Sequence, residues 1–135
     1  MTRAEQMVET NPTRPPVDAG ALSELIDSCF ECAQACTACA DACLGEGDPK
    51  SLTRCIRLDL DCADICDVTG RVLSRQSAFE PQLARSVVEA CARAVKLCGD
   101  ECEQHAEHHE HCRVCLEACR RCEEACNNLL SAMPA

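Results

Sequence analysis

Between Cys29 and Cys43 the chain reads CFECAQACTACADAC, with cysteines at 29, 32, 36, 39 and 43. That alternation of three and four residues is the repeat of one face of an α-helix. It returns in CRVCLEACRRCEEAC, at Cys112, Cys115, Cys119, Cys122 and Cys126. Two sparser seams lie between them, Cys55, Cys62 and Cys66, then Cys91, Cys98 and Cys102, each at spacings of seven and four. The order is palindromic: a dense seam, two sparse ones, a dense one.

Each seam continues into hydrocarbon, so each can be read as one inward helix face. Leu22, Leu25 and Ile26 precede Cys29, and Val72 and Leu73 follow Cys66. Leu83 and Val87 lead to Cys91, Val95, Cys98 and Cys102, and Leu129, Leu130 and Met133 follow Cys126. The breaks carry turn chemistry. GEGDP at 45–49 ends the first helix, with Asp48 as N-cap and Pro49 as the first residue of the next. SRQSAFEP at 74–81 ends the second, capped by Ser77 with Glu80 or by Glu80 with Pro81. QHAEHHEHC has neither Gly nor Pro, but the seam slips phase there and the palindrome requires a turn.

These features predict an all-α fold, an antiparallel up-down-up-down four-helix bundle with a Cys-lined core over residues 21–135. Residues 1–20, with Pro12, Pro15 and Pro16, read as a flexible or irregular arm. The chain holds 135 residues, enough for one core, yet it has no Trp or Tyr and only two Phe. Sixteen cysteines are the residues left to fill that core. Folding places an apolar plug at one end and, at the other, Cys43, Cys55, Cys102, His105, His109, His111 and Cys112. His105 and His109 extend the third seam by three and four residues, His111 adjoins Cys112, and His108 falls out of phase. Asp59 lies on the inward spacing near this end, although a solvated face is the expectation for it.

Charge and composition exclude several functions. A net charge of −10 with scattered Lys and Arg gives no basic surface for nucleic acid. No segment is apolar enough for a membrane span, and the N-terminus has no apolar signal run, so a cytoplasmic protein is expected. In that reducing compartment, cysteines serve as metal ligands or redox groups rather than as disulfides. Four CxxC pairs, at 29/32, 36/39, 112/115 and 119/122, sit in unbroken helical runs, without the strand of a thioredoxin motif. The ferredoxin run CxxCxxCxxxCP is absent. Thiolates in a dry interior need compensating charge, and one monovalent cation per displaced thiol proton keeps the core near neutral. Soft thiolates at low coordination select Cu(I), whereas zinc on four thiolates leaves a net negative site.

The cysteine stripes from Cys29 to Cys126, with the CEQHAEHHEHC segment, resemble the cytosolic branch of the cysteine-rich copper storage proteins. The resemblance runs from about Leu22 to Met133. It implies multiple Cu(I) ions bound mostly by Cys pairs, histidines at an open mouth, and a homotetramer. The function expected is storage and detoxification of Cu(I), without an enzymatic cycle, at about one copper per thiol. A copper chaperone or small thiol is the expected donor. The metal ligands expected are the sixteen cysteines together with His105, His109 and His111. Two rival readings are a zinc or cadmium thiolate buffer and a Cys-based redox or iron–sulfur protein. Ile56, Leu60, Leu97 and Leu116 are the outward apolar residues suited to contact between copies.

Overall fold

The computed structural model describes residues 1–134. Alanines between the cysteines give α2 (Ala19–Leu44) high helix propensity, and local chemistry fixes its ends. The Asp18 carboxylate accepts the Ala21 N–H at 2.8 Å, satisfying an N-terminal donor. The Gly45 N–H donates back to the Asp41 and Ala42 carbonyls. At 26 residues, α2 is about 39 Å long, enough to carry the plug at one end and thiols along the rest of one rod.

The helix expected to begin at Asp48 and Pro49 starts instead as a 3-10 turn, Pro49–Leu52, and only then becomes α3 (Thr53–Leu73). Asp48 makes no side-chain cap there. Of the two caps proposed for the next helix, the Glu80 and Pro81 version forms. Glu80 Oε1 accepts the Gln82 N–H at 3.2 Å, and Pro81 opens α4 (Pro81–His105). The expected turn then follows, and α5 (Glu110–Ala132) begins after His109.

The four long helices close a ring in which α2 packs on α3 and α5, and α4 packs on α3 and α5. Sulfur contacts give their directions. Along α2, Cys32, Cys36 and Cys39 meet Cys119, Cys115 and Cys112 of α5, so the two run oppositely. Cys29 and Cys36 meet Cys91 and Cys98, so α2 and α4 run the same way. Arg121 ties the α2 and α5 surfaces together through Glu24 and Glu31.

The plug forms at the end away from the histidines, from Leu22, Leu25, Ile26, Leu73, Leu129 and Met133. On α4 the expected register is corrected: Ala84 and Val88 are buried, while Leu83 is exposed and Val87 only half-buried. The spacing back from Cys91 is three and then four, so the seam runs 84, 88, 91, 95, 98, 102. Gly70 makes a close helix approach possible, since a Cβ there would lie 2.8 Å from the Phe30 ring of α2.

The N-terminal arm is also corrected. Residues Arg3–Thr10 form α1, opened by a capping box in which Thr2 and Glu5 satisfy each other's backbone N–H groups. Arg14 closes it by donating to the Val8 and Glu9 carbonyls at 2.7 and 3.0 Å. Val8 is buried and joins the core, so α1 is docked on α2 beside the plug.

Candidate metal centre

All sixteen cysteines are free thiols, and none is more than 2% exposed. Their sulfurs form a continuous column. From α2 to α5, Cys29 meets Cys122 at 4.0 Å, Cys32 meets Cys119 at 3.8 Å, Cys36 meets Cys115 at 3.6 Å and Cys39 meets Cys112 at 3.8 Å. Cys32 reaches Cys62 of α3 at 4.0 Å, and Cys66 reaches Cys91 of α4 at 3.9 Å. Two metal–sulfur bonds of about 2.3 Å span up to about 4.6 Å. A metal ion therefore fits between neighbouring sulfurs with sub-ångström side-chain movement.

The sulfurs are shared rather than partitioned. Cys36 and Cys119 belong both to a group with Cys32 and Cys62 and to a group with Cys98 and Cys115, each with its ligand atoms within 4.8 Å of one another. Two separate tetrahedral ions cannot fill both groups without sharing ligands. Ions of low coordination, bridged by common thiolates, can. Burial, followed by the charges that Cys55 and Asp59 would carry when ionised, pushes the Cys43 thiol up to about 12. A bound cation must therefore displace the proton of a thiol that is otherwise neutral.

Asp59 departs from the solvated face expected of it. Its carboxyl is fully buried in the column, where Oδ1 accepts from Cys98 at 3.1 Å, Cys115 at 3.4 Å and Cys102 at 3.7 Å. Desolvation first, then the charges that Cys115, Cys98 and Cys55 would carry, pushes it from 3.8 up to about 10. The signal was present in the spacing, since Cys55, Asp59, Cys62 and Cys66 continue the four, three, four alternation. Val95 fills the matching gap on α4 and is likewise fully buried.

At the opposite end from the plug, the structure gathers three of the four histidines around two carboxylates. His111 Nδ1 lies 3.4 Å from Cys39 Sγ and 3.7 Å from Cys112 Sγ, and these residues with Cys43 hold their ligand atoms within 4.8 Å. Its Nε2 meets Glu46 Oε2 at 2.8 Å, and His109 Nδ1 lies 3.0 Å from the same oxygen. The His111 hydrogen bond holds the Glu46 carboxyl below the usual carboxylate range. His109 does not continue the α4 stripe. It is the N-cap residue of α5, and its ring stacks on His111 at 5.5 Å.

His105, the last residue of α4, places Nε2 2.9 Å from Glu101 Oε2, while Arg54 holds the other oxygen of Glu101 at 3.3 Å. His108 is exposed, as its phase requires. Neither glutamate was singled out from sequence. Glu101 and His105 stand four apart on one helix, a legible pair. Glu46 and His111 are 65 residues apart and meet only through the fold.

Fold and site together define a helical bundle whose interior is a thiol store for soft metal ions. The chain belongs to the copper storage protein family, whose pattern it matches over residues 18–131. It is similar to the Streptomyces lividans copper storage protein Ccsp loaded with 10 copper equivalents, at 50% identity and a TM-score of 0.94, covering 96% of this chain and 99% of that one. A second structure, of copper loading to a cytosolic copper storage protein from Streptomyces lividans with five coppers, is 54% identical with a TM-score of 0.84, over 85% of this chain and 96% of that one. Cu(I)-bound BsCsp3 from Bacillus subtilis is 35% identical with a TM-score of 0.69, over 78% and 94% of the two chains. Copper is thus the cargo of the family, and Cu(I) in multiple ions is what its members hold.

Proposed function

We propose that this chain stores and detoxifies Cu(I) in the cytoplasm, as a sink without catalytic turnover, using its sixteen cysteines as ligands at about one copper per thiol. One observation carries the reading: every cysteine is a free thiol turned into a single dry column, with neighbouring sulfurs at bridging distance. A redox pair needs an exposed, reactive thiol, and none of the sixteen is exposed. Zinc at four thiolates would leave negative charge in this interior and would compete for Cys36 and Cys119. The cytoplasmic setting is supported by the cytosolic relative.

Cu(I) enters and leaves at the end formed by Cys43, Cys55, Cys102, Cys112 and the three histidines, because the other end is sealed by hydrocarbon. His111 is the first nitrogen ligand, backed by Cys39, Cys43 and Cys112. His105 and His109 line the same mouth. A small thiol or a copper chaperone delivers the ion, since a soft cation passes most readily between soft ligands. The chain assembles as a homotetramer, a reading supported by Leu60 and Leu97, which are 46% and 43% exposed on the outer faces of α3 and α4.

Anaerobic titration of the reduced apoprotein with Cu(I), and separately with Zn(II), against a chelator of known affinity for each, tests the store. The expected result is saturation near one Cu(I) per cysteine and weaker, sparser zinc binding. Saturation at a few ions with tighter zinc binding would sink the copper reading. Sedimentation of apo and loaded protein tests the tetramer.

A further inference from the structure

We infer that Glu46 is the positioning residue of the mouth, because one of its carboxylate oxygens fixes the tautomer of His111 and so turns a bare His111 nitrogen onto the outermost thiols. The inference rests on reading the histidine end as the mouth, and its test separates the two.

Glu46 lies in the turn after α2, anchored by its own N–H to the Cys43 carbonyl at 3.2 Å. Its Oε2 takes a hydrogen bond from His111 Nε2 at 2.8 Å, while His109 Nδ1 lies 3.0 Å away as an ion-pair contact only. An ionised carboxylate only accepts, so the His111 nitrogen facing it carries the proton. In a neutral imidazole the other nitrogen is then the acceptor. For His111 this leaves Nδ1 bare, and Nδ1 is the atom that faces Cys39 Sγ at 3.4 Å and Cys112 Sγ at 3.7 Å.

The consequence for uptake is a preset mixed ligand set. His111 Nδ1 offers its lone pair inside the group made with Cys39, Cys43 and Cys112, so a Cu(I) ion arriving from a thiol donor meets a nitrogen already aimed and three sulfurs behind it. Without Glu46, no other hydrogen-bond partner among the described residues holds the His111 Nε2 side, and the ring turns over to offer Nε2–H or Nδ1–H indifferently. A carboxylate on the far nitrogen of a metal-binding histidine is worth about 10-fold to 100-fold in affinity or activity. His105 has a separate carboxylate, Glu101, so the loss of Glu46 spares it.

Long-range proton–nitrogen NMR of the 15N-labelled, reduced apoprotein at pH 8 reads the tautomers directly. The expected spectrum shows His111 protonated at Nε2. Glu46→Ala is expected to return it to the averaged pattern of the exposed His108, and Glu46→Gln to restore it, because its amide oxygen accepts the same hydrogen bond. A His111 tautomer left unchanged by Glu46→Ala would overturn the inference. Glu46 is on a loop with its side chain 32% exposed, and circular dichroism of each variant checks that the helices persist.

Stopped-flow uptake from Cu(I)-glutathione supplies the second readout. Glu46→Ala is expected to slow the first phase about 10-fold with total copper unchanged, and Glu46→Gln to load near the wild-type rate. Wild-type uptake by Glu46→Ala beside slow uptake by His111→Ala would overturn the role of Glu46 and leave the mouth intact. Wild-type uptake by His111→Ala would overturn the mouth itself, and with it any part for Glu46 in loading.

Discussion

The Cys98 thiol donates to Asp59 Oδ1 at 3.1 Å, the shortest hydrogen bond made by any cysteine side chain among the described residues. It fixes a carboxyl inside a column of thiols, with Cys115 and Cys102 aimed at the same oxygen. Burial raises that carboxyl from 3.8 to about 10, so it keeps its proton at neutral pH. The unfolded chain releases the proton near pH 3.8, and unfolding between these values therefore frees one. The Asp59 contribution to apoprotein stability is fullest below about pH 4 and declines as pH rises towards 10, by up to about 1.4 kcal/mol per pH unit. Urea unfolding of the reduced apoprotein at pH 5 and pH 8 should show this decline, and Asp59→Asn should flatten it. Equal slopes for the two proteins would rule out a neutral buried carboxyl.

Cys36 sits at the crossing of two ligand groups, with Cys115 at 3.6 Å, Cys32 and Cys98 at 3.8 Å and Cys119 at 3.9 Å. Its loss removes a bridge rather than a terminal ligand. Cys36→Ala should cost the apoprotein only about 1 kcal/mol, the scale of a small truncated core side chain. Native mass spectrometry at saturation should show about two coppers fewer, because a bridging thiolate serves two ions. An unchanged copper count would mean that the thiols are not shared.

His105 pairs with Glu101 and His109 with Glu46, two different carboxylates at the histidine end of the bundle. The double change His105→Ala with His109→Ala should slow uptake from a thiol donor about 10-fold while leaving the copper count at saturation nearly intact. Loss of most of the capacity would show that these histidines belong to the store and not to its gate.

Gly70 of α3 lies against the Phe30 ring of α2, with 2.8 Å between the ring and the position of a Cβ. Gly70→Ala should destabilise the fold by about 1–3 kcal/mol through overpacking. Adding Phe30→Leu should recover part of that loss, since the two sites share one contact. Thermal unfolding of the two single variants and the double variant measures the coupling, and additive effects would contradict it.

Removal of residues 1–11 takes away α1 and the buried Val8. The expected cost is about 1.5–3 kcal/mol, the burial of one aliphatic side chain. Copper capacity should not change, because Val8 packs beside the plug and not beside the sulfurs. A fall in capacity would give α1 a part in the store.

The helices and the thiol column were legible because their signal repeats every few residues along the sequence. Cys29 to Cys43 carries its own phase five times over, and no tertiary detail alters which face it presents. Where hydrocarbon replaces thiol the phase is less marked, which is why Leu83 and Val87 were read inward in place of Ala84 and Val88. Asp59 was misplaced for a chemical reason: a carboxylate belongs in water unless its proton stays on, and only the enclosing thiols reveal that it does. The short α1 was hidden by the prolines that follow it, although Thr2 and Glu5 spell its capping box. Glu46 was beyond reach, since its partner His111 comes from the far end of the chain.

The hydrocarbon plug of Leu22, Leu25, Leu73 and Leu129 makes the column a blind tube. Cys29 and Cys43 are separated by about 21 Å of α2, and an ion at the deep end has sulfurs as its only path out. On the proposed reading, copper held this way would be retrieved in reverse order of depth, as from a stack and not from a pool. A chelator outside would then meet only the uppermost ion at any moment, and the rate at which the store empties would be set inside it, by the passage of ions from one thiolate to the next.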